Sequence, residues 1–354
     1  MSFCVRYCYA LLVLCLVITS LYVVNGHCER QSCDIFSGSW VYDQSYPIYS
    51  SASCPFIDKE FDCLKNGRPD RQYLQYRWKP YDCELPRFNG LEFLEKFKGK
   101  RIMFVGDSIT FNQWQSFTCM LHTAVKQPEY HLTSDGVMSS FTFPEHDVSV
   151  MYQRNVFLVD VVKEDIGDVL KLDSIEGSRA WEGIDMLVFN TWHWWHHTGS
   201  AQPWTYIQEG KQVYQDMDRF VAFEKGLTTW GNWVDSKVDT ERTKVVYVGT
   251  SPEHTNGDDW NEPNANCYQK KEPLSGSKYP GGPHPTENIV QRVLEKMSKP
   301  ITYLDITALS QERVDGHPST YGSYYGSKVP GDCSHWCVAG VPDTWNELLY
   351  GALI

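Results

Sequence analysis

The sequence predicts an α/β protein with a mainly parallel sheet, carrying a cysteine-rich N-terminal module. Two observations lead there. Compact apolar runs alternate with longer stretches free of Pro and Gly from Leu91 to the C-terminus, and strands alternating with helices favour a parallel sheet with helical layers. Residues 27–88 instead hold five cysteines among Tyr, Pro and Arg, with no long periodic run. The expected organisation is residues 1–26 as a signal peptide or short signal anchor, 27–88 as the module, and 89–354 as the main domain.

Taken in order, Arg6 precedes an apolar run of 16 residues from Tyr9 to Val24, followed by Asn25-Gly26-His27. A basic start, a short apolar core and a small residue describe a signal peptide. The run falls short of the roughly 20 residues that span a bilayer comfortably. Three of the 12 cysteines lie in this segment, and nine follow it. Scattered cysteines in a secreted chain are expected to form disulfides, here four with one left over. No C-x-x-C pair occurs, so no metal site is expected. No Asn-x-Ser/Thr sequon is present either.

In the main domain, Leu91–Lys98 reads as a short helix and Arg101–Val105 as a buried strand. Ile109–His122 reads as a helix. Further strands are expected at Val148–Tyr152, Val156–Val162, Met186–Asn190 and Lys244–Gly249. Helices are expected at Val213–Trp230, Thr286–Met297 and Thr344–Ala352, the second with Pro285 at a favoured start position. Pro252–Pro285 reads as loop.

Composition narrows the function. A net charge of −12 argues against nucleic-acid binding, which calls for a basic face. The stretch Lys59–Arg101 is locally basic, with 11 Lys and Arg against 7 Asp and Glu. It is either a solvated surface or a strip that holds a polyanion such as pectin. The 13 Trp and 21 Tyr serve either core packing or sugar binding.

Three segments carry chemistry. Gly106-Asp107-Ser108 lies between a strand and a helix, where open α/β sheets place their ligands. Ser108 is the candidate nucleophile, and its backbone N–H at the helix start is a candidate oxyanion donor. Helix capping by Asp107 or Ser108 is the alternative. Asp332-Cys333-Ser334-His335 puts an Asp and a His on one side of a turn. His335 then acts as base and Asp332 fixes its tautomer, the alternative being a polar loop between structural cysteines. Asn190 ends an apolar strand in Asn190-Thr191-Trp192-His193-Trp194-Trp195 and is the second candidate oxyanion donor. Trp192, His193 and Trp194 are candidates to floor a sugar groove, with an aromatic core cluster as the alternative. Arg71, in the basic stretch, is a further candidate for substrate binding.

These residues resemble the plant trichome birefringence-like family, including its powdery-mildew-resistance members. The resemblance rests on Gly106-Asp-Ser108, Asp332-x-x-His335 and Phe189-Asn-Thr-x-His-Trp-Trp195. In the module it rests on Cys33-Asp-x-Phe-x-Gly-x-Trp40, Cys54-Pro-Phe, Gly67-Arg-Pro-Asp70, Arg77-Trp-x-Pro80 and Leu85-Pro-Arg-Phe88. It implies an esterase-like three-layer fold with the module packed on it, and O-acetylation of a cell-wall polysaccharide through Ser108, Asp332 and His335. It implies the Golgi lumen or membrane as location, secretion to the wall being the alternative. The partners implied are a polysaccharide acceptor, with pectin preferred over xylan, and an acetyl donor or a membrane protein supplying it. No tightly bound cofactor is expected, and no glycine-rich phosphate cradle is visible. An acetylesterase uses the same residues, and a non-catalytic wall-binding protein is the reading from another class. The resemblance further implies the bridges Cys33–Cys83, Cys54–Cys119, Cys63–Cys337 and Cys267–Cys333, with Cys28 left over.

Overall fold

The structure, a computed structural model, describes residues 33–268, 270–275, 279–322 and 331–354. The signal segment 1–26 and Cys28 lie outside the described residues. Residues 35–354 form one compact unit.

The core element is a seven-stranded sheet. Its strands are β3 (Arg101–Gly106), β4 (His131–Ser134), β5 (Met138–Phe143), β6 (Val148–Arg154), β9 (Met186–Phe189), β12 (Lys244–Val248) and β13 (Thr302–Leu304), in the order β13-β12-β9-β3-β6-β5-β4. The five strands from β13 to β6 run parallel. β5 and β4 extend the edge as an antiparallel pair.

Alternation along the strands explains why helices cover both faces. Ile102 and Phe104 point one way, into a core with α1 (Gly90–Lys96), α2 (Ser108–Ala124) and α6 (Val341–Leu353). Met103 and Val105 point the other way, against α3 (Arg219–Lys237) and α4 (Pro285–Leu294). A strand buried on both faces needs a continuous apolar run, and β3 supplies one. The result is the expected three-layer fold.

The N-terminal module adds a small antiparallel ribbon, β1 (Gly38–Tyr42) with β2 (Tyr76–Pro80). Its own cluster, with Ile57, Phe61, Tyr73 and Leu74, includes Cys119 and Met120 of α2 and Cys337, Val338 and Ala339 from near the C-terminus. The bridges Cys54–Cys119, Cys63–Cys337 and Cys267–Cys333 are present, and Cys33 and Cys83 are disulfide-bonded as well.

Two elements depart from the sequence reading. The run Phe157–Val159 is buried but irregular, with Leu158 at φ 61° and its N–H held by the Asn155 side chain; the strand there, β7, covers Asp160–Glu164. Burial alone makes an apolar run look like a strand. The helix expected from Val213 starts instead at Arg219, because Asp218 caps it by accepting from the N–H groups of Phe220 and Val221. Val213 lies in β11 (Gln212–Tyr214), which belongs to a second sheet of order β11-β10-β8-β7 with β8 (Gly167–Lys171) and β10 (Tyr206–Glu209).

Candidate active site

β3 ends at Gly106 and α2 begins two residues later. The turn is sharp enough to demand glycine: a Cβ at Gly106 would lie 2.1 Å from Thr110 Oγ1 and 2.3 Å from the Asn190 carbonyl oxygen. Asp107 caps the helix, its Oδ1 accepting from Ile109 N–H at 2.9 Å. Ser108 is therefore the first helical residue, and its N–H has no acceptor within the helix. Asp107 does the capping and leaves the Ser108 hydroxyl available.

That hydroxyl meets His335. Ser108 Oγ lies 2.8 Å from His335 Nε2, and His335 Nδ1 lies 2.8 Å from Asp332 Oδ2. A carboxylate only accepts, so Nδ1 carries the proton and Nε2 accepts from the serine. The other carboxylate oxygen, Oδ1, accepts from the N–H groups of Ser334 and His335 at 2.9 and 3.0 Å. One side chain thus shapes the turn and orients the ring. Burial works to raise the Asp332 pKa, but the charge of His335 and these hydrogen bonds hold it well below the usual carboxylate range.

The turn is braced from several directions. Asp332 exchanges backbone hydrogen bonds with Ser319 at 2.7 and 2.8 Å. Cys333 is tied to Cys267, and Cys337 to Cys63 of the module. Phe61 places its ring 5.5 Å from that of His335. Arg68, from the Gly67-Arg-Pro-Asp70 motif, is buried and donates to the carbonyls of His317 and Asp315 at 3.0 and 2.8 Å. His317 Nδ1 in turn faces the His335 carbonyl at 2.6 Å. The module therefore supports the site directly.

His317 continues a buried chain: its Nε2 faces His254 Nδ1 at 2.6 Å, and His254 Nε2 faces the Gln311 carbonyl at 2.9 Å. Three such contacts call for three protons, one more than two neutral imidazoles carry. Burial opposes the extra proton, holding His254 down at about 4 and His317 well below its usual value. One of the three contacts therefore lacks a proton in the neutral pair.

Asn190 is used differently from expectation. Its Nδ2 donates to the carbonyls of Val248 and Gly249 at 3.0 and 2.9 Å. Both amide hydrogens are occupied in clamping β9 to the end of β12, and none is left for an oxyanion. Arg71 is also not brought to the site. It is exposed and lines a separate cavity of about 430 Å³ with Tyr49, Leu64 and Ala339. The basic stretch is partly tied up: Arg68 pairs with Asp70, Arg77 with Asp43 and Lys100 with Asp185, and Lys96 and Arg87 donate to backbone carbonyls, while Lys65, Arg71, Lys79 and Lys98 are exposed.

The aromatic segment divides. Trp195 is wholly buried and donates to Thr191 Oγ1. Trp192 stacks on Phe220 at 5.3 Å and lines a cavity of about 390 Å³ with His196, Glu253, Asp259, Tyr279 and His284. Trp194 lies under the Arg154 guanidinium at 5.4 Å. The His193 ring sits 6.0 Å from that of His335. Burial pulls the His193 pKa down, but its hydrogen bond to Glu253 and the charges of Glu253, Asp107 and Asp332 outweigh that and raise it.

Sequence reasoning missed His317, Asn112, His196 and the part played by Glu253, and met Arg68 only as a member of the Gly67-Arg-Pro-Asp70 motif. For Glu253 the sequence offers one signal, Ser251-Pro-Glu-His254 directly after the apolar run Lys244–Gly249.

A hydroxyl, an imidazole and a carboxylate in line at the carboxyl end of a mainly parallel sheet fit the class of serine acyl esterases and acyltransferases. Comparison with known proteins agrees with the geometry. The family described as "GDSL/SGNH-like Acyl-Esterase family found in Pmr5 and Cas1p" matches residues 85–352, and the "PMR5 N terminal Domain" matches residues 31–84. The chain belongs to the trichome birefringence-like family. It is 54% identical to "Protein trichome birefringence-like 41" of Arabidopsis thaliana, across 93% of this chain and 92% of that one. It is 51% identical to "Protein trichome birefringence-like 38" of the same plant, across 93% and 87%. A more distant relative, "Protein trichome birefringence-like 6", is 42% identical across 90% of this chain and 70% of its own.

The bridged cysteines fit an oxidising compartment of the secretory pathway. Among the described residues no helix is long and apolar enough to cross a membrane.

Proposed function

We propose that the protein is an O-acetyltransferase that acetylates hydroxyls of a plant cell-wall polysaccharide through an acetyl-Ser108 intermediate. The observation that carries this is the hydrogen-bonded line Ser108–His335–Asp332 at 2.8 Å per step. In the first step the Ser108 proton passes to His335 Nε2 while Oγ attacks the acetyl carbonyl of the donor. The leaving group takes that proton. In the second step a sugar hydroxyl gives its proton to Nε2 and attacks the acetyl-serine, and Ser108 recovers a proton as the ester bond breaks. The Ser108 N–H at the start of α2 supports the oxyanion in both steps. Asp332 stabilises the imidazolium each time it forms.

The acceptor is a wall polysaccharide, and the donor is a soluble acetyl ester or thioester, or a membrane protein that passes acetyl on. Some charges of the basic stretch are paired internally, but Lys65, Arg71, Lys79 and Lys98 stay exposed, so a polyanion such as pectin remains the preferred acceptor, and pectin and xylan oligosaccharides are tested side by side. The Golgi is the proposed location, with the cell wall as the alternative.

The test incubates purified protein with acetyl donor, with and without each acceptor, and follows acetyl by mass spectrometry. An adduct on Ser108 that transfers to the acceptor is expected. Release of acetate at a rate indifferent to acceptor would make the protein an acetylesterase. Acceptor binding without any adduct would make it a binding protein.

A further inference from the structure

His193 and His196 lie three residues apart in the tight turn that follows β9, and Glu253 lies in the Ser251-Pro-Glu segment that follows β12. β9 and β12 are parallel neighbours, so both segments leave the sheet at the same end. There the side chains converge. His193 Nδ1 lies 2.9 Å, and His196 Nε2 3.3 Å, from the same Glu253 Oε1. All three atoms fall within 4.8 Å of one another, the one such group among the described residues.

We propose that His193 Nδ1, His196 Nε2 and Glu253 Oε1 form a binding site for one divalent transition-metal ion of the zinc class, with its fourth position open to the cavity. Ligand type comes first. Two imidazoles and a carboxylate suit zinc, and the same set serves zinc enzymes that keep one position for water or substrate. Calcium and magnesium demand six or more ligands, mostly oxygen. Spacing comes second. Neighbouring ligands on a tetrahedral ion with bonds of about 2.0–2.1 Å stand roughly 3.3 Å apart, and the two gaps to Oε1 are close to that. Access comes third. The side chains of His193, His196 and Glu253 are 15%, 34% and 26% exposed, and His196 and Glu253 line the cavity of about 390 Å³.

The site is also held in place. Pro252 stiffens the approach to Glu253, and His196 stacks on His197 with ring centres 5.1 Å apart. In the metal-free protein a proton on each facing nitrogen makes the three atoms a hydrogen-bonded cluster. An entering ion takes the lone pair of each facing nitrogen, so each neutral imidazole carries its single hydrogen on the other nitrogen, and any second proton on a ring is released to solvent. The ion sits beside the Ser108–His335–Asp332 line and is separate from it.

The test uses the full chain without a histidine tag, stripped with a chelator. Titration calorimetry with Zn²⁺ is expected to show one ion per chain. Outer-shell changes at zinc sites cost 10–100-fold in affinity, so Glu253→Gln and His196→Asn, which change the ligands themselves, are each expected to weaken binding by at least about 100-fold. Ser108→Ala is expected to bind as the unaltered chain does. X-ray absorption of the Co²⁺-loaded unaltered chain should show two imidazole ligands, a reading that stands even if a variant misfolds. Failure to bind Zn²⁺, unchanged affinity in both folded variants, or a Co²⁺ spectrum without imidazole would overturn the proposal. None of these readouts depends on turnover.

Discussion

Asn112, one helical turn after Ser108, exchanges two hydrogen bonds with the backbone of Trp336, the residue after His335. Its Nδ2 donates to the Trp336 carbonyl at 3.1 Å, and its Oδ1 accepts the Trp336 N–H at 2.7 Å. The helix that presents the hydroxyl thus grips the segment that presents the imidazole. Asn112→Ala leaves two buried backbone groups unpaired, each costing about 1–3 kcal/mol. A shift of about 1 Å between reacting groups can cost on the order of 100-fold in rate. The expected outcome is a lower melting temperature together with a fall in kcat of about 10–100-fold. A variant that loses stability but keeps kcat would show that the clamp serves folding alone.

Ser108→Ala is expected to abolish the acetyl adduct while leaving the circular dichroism spectrum unchanged, because one hydroxyl is lost from a packed site. His335→Ala should remove nearly all activity. Asp332→Asn should retain more, since the base remains and only its orientation and charge partner change. Members of such a set act as a unit, so the Ser108→Ala/His335→Ala double variant should be scarcely worse than either single one. Adduct mass spectrometry and acetyl transfer rates decide the matter.

Asn190→Ala separates a clamp from an oxyanion donor. It unpairs the carbonyls of Val248 and Gly249 and should cost about 1–3 kcal/mol of stability. Loss of an oxyanion donor would cost about 100–1000-fold in kcat. A stability loss with kcat reduced less than about tenfold is expected, and the larger kinetic loss in a stably folded variant would restore the oxyanion role.

The Cys267–Cys333 bridge holds the turn next to Asp332. The Cys267→Ala/Cys333→Ala variant is expected to lose about 2–4 kcal/mol and to lose transfer activity at temperatures where it is still folded. Comparing thermal inactivation with thermal unfolding tests this. Coincident curves in the variant would mean that the bridge does not position the turn.

Glu347 is buried in α6, and burial pushes its carboxyl up to about 7 even though the Tyr46 hydroxyl donates to it at 2.8 Å. Its unfolded value is near 4.3, so the folded chain binds more protons between those limits. Stability from this group is complete below pH 4 and is lost as pH rises through 7. Glu347→Gln keeps an acceptor for Tyr46 and removes the titration. The variant should therefore gain on the unaltered protein as pH goes from 5 to 8. Buried His254 and His317 act in the opposite sense, so the sign is read from the difference between the two proteins. A difference in melting temperature that is constant over this range would refute the assignment.

What the sequence determined by itself was local. Gly106-Asp107-Ser108 and Asp332-x-x-His335 each work within one turn, where spacing fixes which side chains meet. The apolar runs at Arg101–Val105, Met186–Asn190 and Lys244–Gly249 were legible because a strand buried on both faces leaves no polar interruption. The tertiary structure decided whatever depends on which strands become neighbours. Asn190 became a clamp because β12 lies beside β9 and offers two carbonyls. Arg71 was drawn away from the site because the module turns it to another surface. His193, His196 and Glu253 come from segments some 60 residues apart, and only the order β12-β9-β3 brings them together beside Ser108. Sequence distance carries no record of that order, because strand pairing is set by the burial of whole faces and not by any one residue.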